Sequence, residues 1–165
     1  TLANAGVGCI AMPCNTAHFW HSDLAEISPV PVLHIAQACS DRLVQQGVRS
    51  VGLMATDGTL KANFYAQALA QRGIALTLPD EMLQRKIMAG IYQVKAGNLV
   101  RGGALLDCCM DEFLARGVER VILGCTEIPL ALEHIDSANL VVGVDATDAL
   151  AEACLHWYQQ AQTPH

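Results

Sequence analysis

Charge, aromatic rings and long apolar runs are all scarce in this 165-residue chain. Charged residues make up 16% and aromatic residues 5%, and the ten Lys and Arg are outnumbered by sixteen Asp and Glu, for a net charge of −6. Nucleic acids and anionic membrane surfaces are bound through clustered positive charge, so neither is an expected partner. No apolar stretch approaches the ~20 residues of a membrane span. Nothing at the start has the layout of a secretory signal, and a cytoplasmic location is expected. The seven cysteines are odd in number and lack framework spacing, which suits free thiols in a reducing compartment better than a disulfide scaffold.

What is abundant is aliphatic: hydrophobic residues are 52% of the chain. That balance suits an α/β protein whose parallel strands are buried on both faces. Short apolar runs alternate with amphipathic stretches in a βαβ rhythm. The pattern predicts strands over Gly6–Met12, Val32–Ile35, Ser50–Ala55, Ile74–Leu78, Arg120–Leu123 and Leu140–Val144. It predicts helices over Thr16–Glu26, Ala36–Gln46, Leu60–Arg72, from Asp80 to Lys95, from Asn98 to Arg116, and from Ala146 to about Gln160. Thr56–Thr59 and Gly124–Glu127 read as polar loops.

Two strand ends echo one another. Cys9-Ile10-Ala11-Met12-Pro13-Cys14-Asn15-Thr16 and Arg120-Val121-Ile122-Leu123-Gly124-Cys125-Thr126 each deliver a Cys at a strand's C-terminal end, with a Thr close behind. Ligands of open α/β sheets bind at that edge. Moving the α-proton of an amino acid from one face of its carbon to the other needs an acid on one side and a base on the other. Thiols suit both roles because their ordinary pKa of ~8.5 can be tuned either way. A helix N-terminus favours the thiolate, and the neighbouring Asn and Thr groups make a nest for a substrate carboxylate.

Most free cysteines are small core residues. Cys9 within a strand, Cys39 and Cys154 on helices, and Cys108-Cys109 in mid-helix are read that way. Cys14 and Cys125 differ because they open polar loops, where packing does not call for Cys followed by Thr. Two other chemistries fit these residues less well. A zinc site at Cys14, His18 and His21 lacks a further ligand at motif spacing. A Cys14 hydrolase with His34 or His134 leaves Cys125-Thr126 without a role.

Through Met12-Pro13-Cys14-Asn15-Thr16-Ala17-His18 and Leu123-Gly124-Cys125-Thr126-Glu127-Ile128, the chain resembles the aspartate/glutamate racemase superfamily, and within it the aspartate racemase branch. Leu53–Thr59 and Gly90–Asn98 carry the resemblance further along the chain. It implies two pseudo-symmetric Rossmann-like lobes with parallel sheets flanked by helices and the active site between them. Residues 1–40 with 141–165 would form the first lobe and 41–140 the second. It also implies a homodimer acting on an acidic amino acid without pyridoxal phosphate or metal. Cys14 and Cys125 would be the two acid–base groups, and Asn15, Thr16 and Thr126 would hold the substrate's α-groups. Thr56 and Thr59 would help to bind carboxylate, Lys95 would meet the side-chain carboxylate, and Glu127 would complete the binding set. Glu127-Ile128-Pro129 stands where cell-wall glutamate racemases carry His-Tyr-Pro, which favours aspartate over glutamate. The strand, Gly-rich loop and Arg-bearing loop that usually precede the first Cys are not found ahead of Cys14. The first lobe is therefore expected to be incomplete. Activity below that of a full-length relative follows from this, with a weakly active or inactive amino-acid-binding fragment as the alternative.

Overall fold

The rhythm of aliphatic and amphipathic segments folds into six strands and eight α-helices over residues 2–162, the span that the computed structural model describes. In chain order these are β1 (Ile10–Ala11), α1 (His21–Ile27), β2 (Val32–Leu33), α2 (Ile35–Gln45), β3 (Ser50–Ala55), α3 (Asp57–Ala62) and α4 (Phe64–Ala70). They continue with β4 (Ala75–Thr77), α5 (Glu81–Lys95), α6 (Leu99–Ala115), β5 (Arg120–Gly124), α7 (Glu127–His134), β6 (Gly143–Asp145) and α8 (Ala146–Gln162). Short 3-10 turns occupy Ala3–Ala5, Thr16–Trp20 and Ala138–Val142.

Two parallel sheets result: β1 pairs with β2, and a four-stranded sheet runs in the order β4-β3-β5-β6. Along β3, Val51 and Leu53 face one core and Met54 the other; on β5, Ile122 faces the first while Val121 and Leu123 face the second. This two-residue alternation between two apolar faces is what a sheet covered on both sides requires. The first face is covered by α2, α4 and α8 through Ile35, Leu43, Tyr65, Leu69 and Leu150. The second is covered by α5, α6 and α7 through Ile87, Ile91, Leu106, Phe113 and Leu132. Close approach is built in at Gly52, where a Cβ would fall 2.5 Å from the Phe113 ring. Strand β6 extends the sheet formed by strands from 50–124, while α8, from the same 141–165 segment, is clamped to α2 by Arg42 pairing with Asp148 and Glu152.

The structure redraws several expected elements. The strand expected over Gly6–Met12 shortens to Ile10–Ala11, because Gly6 turns the chain at φ +76° and the Trp157 ring packs where a Gly8 side chain would stand. The helix expected over Thr16–Glu26 splits at Trp20 into a 3-10 turn and α1. The helix expected from Leu60 begins instead at Asp57, because Thr56 accepts the Thr59 N–H as its N-cap, and it breaks at Asn63, which is left-handed at φ 59°. Helix α7 was not anticipated; Pro129 lies in its first turn, where no intrahelical N–H bond is lost. Leu140–Val144 gives way to a 3-10 turn followed by the short strand Gly143–Asp145.

Sheet order sets the functional geometry. From β3 the chain crosses to the edge strand β4, then returns by α5 and α6 to β5 on the opposite side of β3. The connections after β3 and β5 therefore leave in opposite directions and open a crevice beyond the two C-termini, the usual ligand position in such sheets. Ala55 is in register with Gly124, so the next residues are Thr56 on one strand and Cys125 on its neighbour.

Candidate active site

Cys125 closes β5 with only 8% of its surface exposed. Its Sγ donates to Glu127 Oε2 at 2.8 Å, and the Thr126 hydroxyl donates to the same oxygen at 3.1 Å. The other carboxylate oxygen lies 3.7 Å from Lys95 Nζ. Burial, then the hydrogen bond and negative charge of Glu127, push the Cys125 thiol up to about 12. Burial alone would raise Glu127 as well. The hydrogen bond from Cys125 and the Lys95 charge outweigh it and hold the carboxylate below its ordinary value. At neutral pH the proton of this pair therefore sits on sulfur and the negative charge on Glu127.

Cys14 is exposed and belongs to the loop after β1. Its N–H donates to Met12 O at 2.8 Å, and its carbonyl accepts from His18 Nδ1 at 2.9 Å, which shapes the loop into a tight turn. Two residues on, Thr16 meets the end of β3. Thr16 Oγ1 lies 2.9 Å from Thr56 Oγ1 and 3.1 Å from Thr59 Oγ1, and the last two are 3.1 Å apart. Gly58 permits this contact, since a Cβ there would stand 3.0 Å from Thr16 Cγ2. Three mutually bonded hydroxyls can turn their O–H groups toward an incoming carboxylate at the cost of weak contacts among themselves. The cluster joins the Cys14 loop to the strand end beside Cys125.

Asn15, between Cys14 and Thr16, is 4% exposed. Its Oδ1 accepts from the Tyr65 hydroxyl at 2.5 Å, while its buried Nδ2 has no hydrogen-bond partner among the described residues. Of the sequence candidates, the structure brings Thr16, Thr56 and Thr59 into one cluster, with Cys14 and Asn15 on the loop that carries Thr16. Cys125, Thr126, Glu127 and Lys95 form a second cluster at the adjacent strand end. Sequence reasoning missed two supporting side chains. Gln84 Nε2 donates to Ala55 O at 3.1 Å and to Asp57 Oδ1 at 2.7 Å, holding the chain where β3 enters α3. Tyr65 supports Asn15. Neither has a local motif; the only signal for Gln84 is its place in the first turn after the Asp80 N-cap.

Three histidines back the Cys14 loop. Ring centroids of His18, His21 and His34 lie 4.4–5.7 Å apart. His18 Nε2 accepts the Ile35 N–H at 3.1 Å, His21 donates to Val32 O at 2.9 Å, and His34 Nδ1 accepts the Ala36 N–H at the start of α2. Among the described residues, no group of three His, Cys, Asp or Glu side chains is arranged to hold a metal ion. His21 is thus engaged with β2 and only partly exposed, rather than a free surface residue. Burial, then the charges of His21 and His18, lower His34 to about 4, and burial lowers His18 as well. Both folded values lie below the unfolded ~6.5, so the stability that they contribute is present above that pH and is lost as pH falls toward 4. The urea midpoint is expected to drop across that window by about 2 kcal/mol equivalent, after discounting for a half-buried ring. His34→Asn, which keeps an N-cap, should flatten the drop. An unchanged slope would show that the cluster does not titrate with unfolding.

Comparison with known proteins bears on this geometry. The family model for Asp/Glu/hydantoin racemases matches residues 1–154. The uncharacterized protein in the pnlA 3' region of Pectobacterium carotovorum subsp. carotovorum is 34% identical over 139 residues, 84% of this chain and 93% of that protein. The broad specificity amino-acid racemase RacX of Bacillus subtilis is 25% identical over 162 residues, covering 98% of this chain and 70% of RacX. Among solved structures, a putative Asp/Glu racemase from Yersinia pestis superposes with a TM-score of 0.81 at 29% identity, covering 94% of this chain and 68% of that one. Against the glutamate racemases that it matches, the chain spans about half their length.

Proposed function

This chain belongs to the Asp/Glu/hydantoin racemase family, and from that membership we propose that it interconverts the enantiomers of an acidic amino acid by a two-cysteine 1,1-proton transfer. The observation that carries this reading is the triple hydroxyl contact of Thr16, Thr56 and Thr59, which joins the Cys14 loop to the strand end beside Cys125. One thiolate takes the α-proton while the opposite thiol gives a proton to the other face; the two sulfurs then hold exchanged roles. As the α-carbon loses its proton, negative charge moves onto the substrate carboxylate, which the hydroxyls of Thr16, Thr56 and Thr59 and the Asn15 amide would receive. The hydrogen bond from Cys125 to Glu127 supports Cys125 as the partner that is protonated at rest.

Lys95 lies 3.7 Å from the Glu127 carboxylate and at rest is drawn to it. A substrate side-chain carboxylate would compete with Glu127 for it, which explains how an acidic substrate is held by a protein of net charge −6. Aspartate is the favoured substrate and glutamate the second, on the strength of Glu127-Ile128-Pro129 in the second motif. The test is incubation with L-aspartate and L-glutamate in deuterium oxide, following α-deuterium by NMR and the enantiomers by chiral chromatography. Deuterated D-product is the expected outcome. Absence of both exchange and racemisation across a panel of amino acids would sink the reading.

A further inference from the structure

Two buried side chains outside the cysteine motifs control the orientation of a site amide. Tyr65 on α4 is 1% exposed and Cys39 on α2 is fully buried. Their polar atoms lie 3.8 Å apart, and the Tyr65 hydroxyl lies 2.5 Å from Asn15 Oδ1. A phenol has one hydrogen, and here it goes to the amide oxygen, so the Cys39 thiol must donate to the phenol oxygen. The relay runs Cys39 S–H to Tyr65 O–H to Asn15 C=O, and it leaves the buried Asn15 NH2 without an acceptor among the described residues. A buried amide hydrogen without a partner costs free energy, so the unpartnered N–H points to an acceptor on a ligand. Were the amide flipped, Oδ1 would face the same place and repel a carboxylate.

We propose that Tyr65, backed by Cys39, is a positioning residue that fixes the donor face of Asn15 toward the substrate's α-carboxylate. This rests on the racemase reading for the identity of the ligand, but not for the orientation of the amide. A buried phenol suits the task because burial raises Tyr65 well above its ordinary value and keeps its proton in place. Tyr65→Phe removes the single hydrogen that distinguishes Oδ1 from Nδ2 while keeping the ring that packs in the core.

The experiment has two readouts on the whole chain. In ligand-free protein, the Asn15 side-chain NH2 resonances should form one sharp set in wild type and become doubled or broadened in Tyr65→Phe. Unchanged resonances overturn the proposal whatever the activity. With L-aspartate as the probe, Tyr65→Phe should raise KM about tenfold, the scale of one charge-assisted hydrogen bond, with kcat altered far less. In an Asn15→Ala background the same substitution should add less than about twofold, since its target is gone. Full additivity, or a kcat loss with KM unchanged, overturns the proposal. A wild-type chain that shows the single amide set yet neither binds nor exchanges aspartate overturns the racemase reading instead, and the resonance comparison still decides the role of Tyr65.

Discussion

Replacing either Cys14 or Cys125 with Ala should lower racemisation by at least about a thousandfold, the upper range of what one acid–base group contributes. The reason is stoichiometric: inversion needs a base on one face of the α-carbon and an acid on the other, and each thiol serves one face. The loss should not be uniform across assays. With Cys125 gone, Cys14 can still remove and return the proton on its own face, so one enantiomer should exchange its α-hydrogen with deuterium oxide without inverting. With Cys14 gone, the other enantiomer should do so. Cys108→Ala serves as a control, because that thiol is exposed on α6, outside both site clusters. A pair of variants that lose exchange of both enantiomers equally would argue that the cysteines support the fold and not the proton transfer. Chiral chromatography and α-proton NMR on the same samples separate the two outcomes.

The buried sheet was legible because burial on both faces demands uninterrupted aliphatic runs, and Ser50–Ala55 has that form. The same signal overreached at Gly6–Met12, where an apolar run meets a left-handed Gly6 and, on Gly8, the ring of Trp157 from the far end of the chain. The first turn of α3 went unread because Thr56-Asp57-Gly58-Thr59 carries turn residues, yet Thr56 uses that composition as an N-cap. The cysteines, Asn15 and the threonines were legible because their types and their place at strand ends are local facts. Tyr65 and Gln84 were not, since what they do depends on Asn15, Ala55 and Asp57, brought to them by the topology. Lys95 is intermediate: the sequence places it in the last turn of α5, and only the structure shows that Glu127 is what it faces.

Glu127→Gln should uncouple the Cys125 thiol from its neighbour, and the sign of each effect follows from the contacts. In wild type the Cys125 Sγ–H points at a carboxylate 2.8 Å away. For Cys125 to act as a base its proton must first pass to Glu127, an uphill step at rest that a substrate drawing Lys95 away from Glu127 would ease by raising that carboxyl: the S–H bond breaks, the carboxyl O–H forms, and thiolate remains. Glutamine keeps the shape and loses the acceptor strength and the charge. Two of the causes that lift the thiol to about 12, the hydrogen bond and the charge of Glu127, disappear, while burial, the first cause, stays. The thiol should therefore titrate lower than in wild type but still above its ordinary value. Alkylation of Cys125 by iodoacetamide, followed by peptide mass spectrometry with Cys14 and Cys108 replaced by Ser, should show its inflection moved down by about one pH unit or more. Racemisation should fall by about a hundredfold, despite the more acidic thiol, because the local route for the proton is gone. Since enantiomers in water equilibrate to a racemic mixture, kcat/KM must fall equally in both directions. A variant that alters KM alone, with an unmoved alkylation profile, would assign Glu127 to substrate contact and leave Cys125 to exchange its proton with solvent.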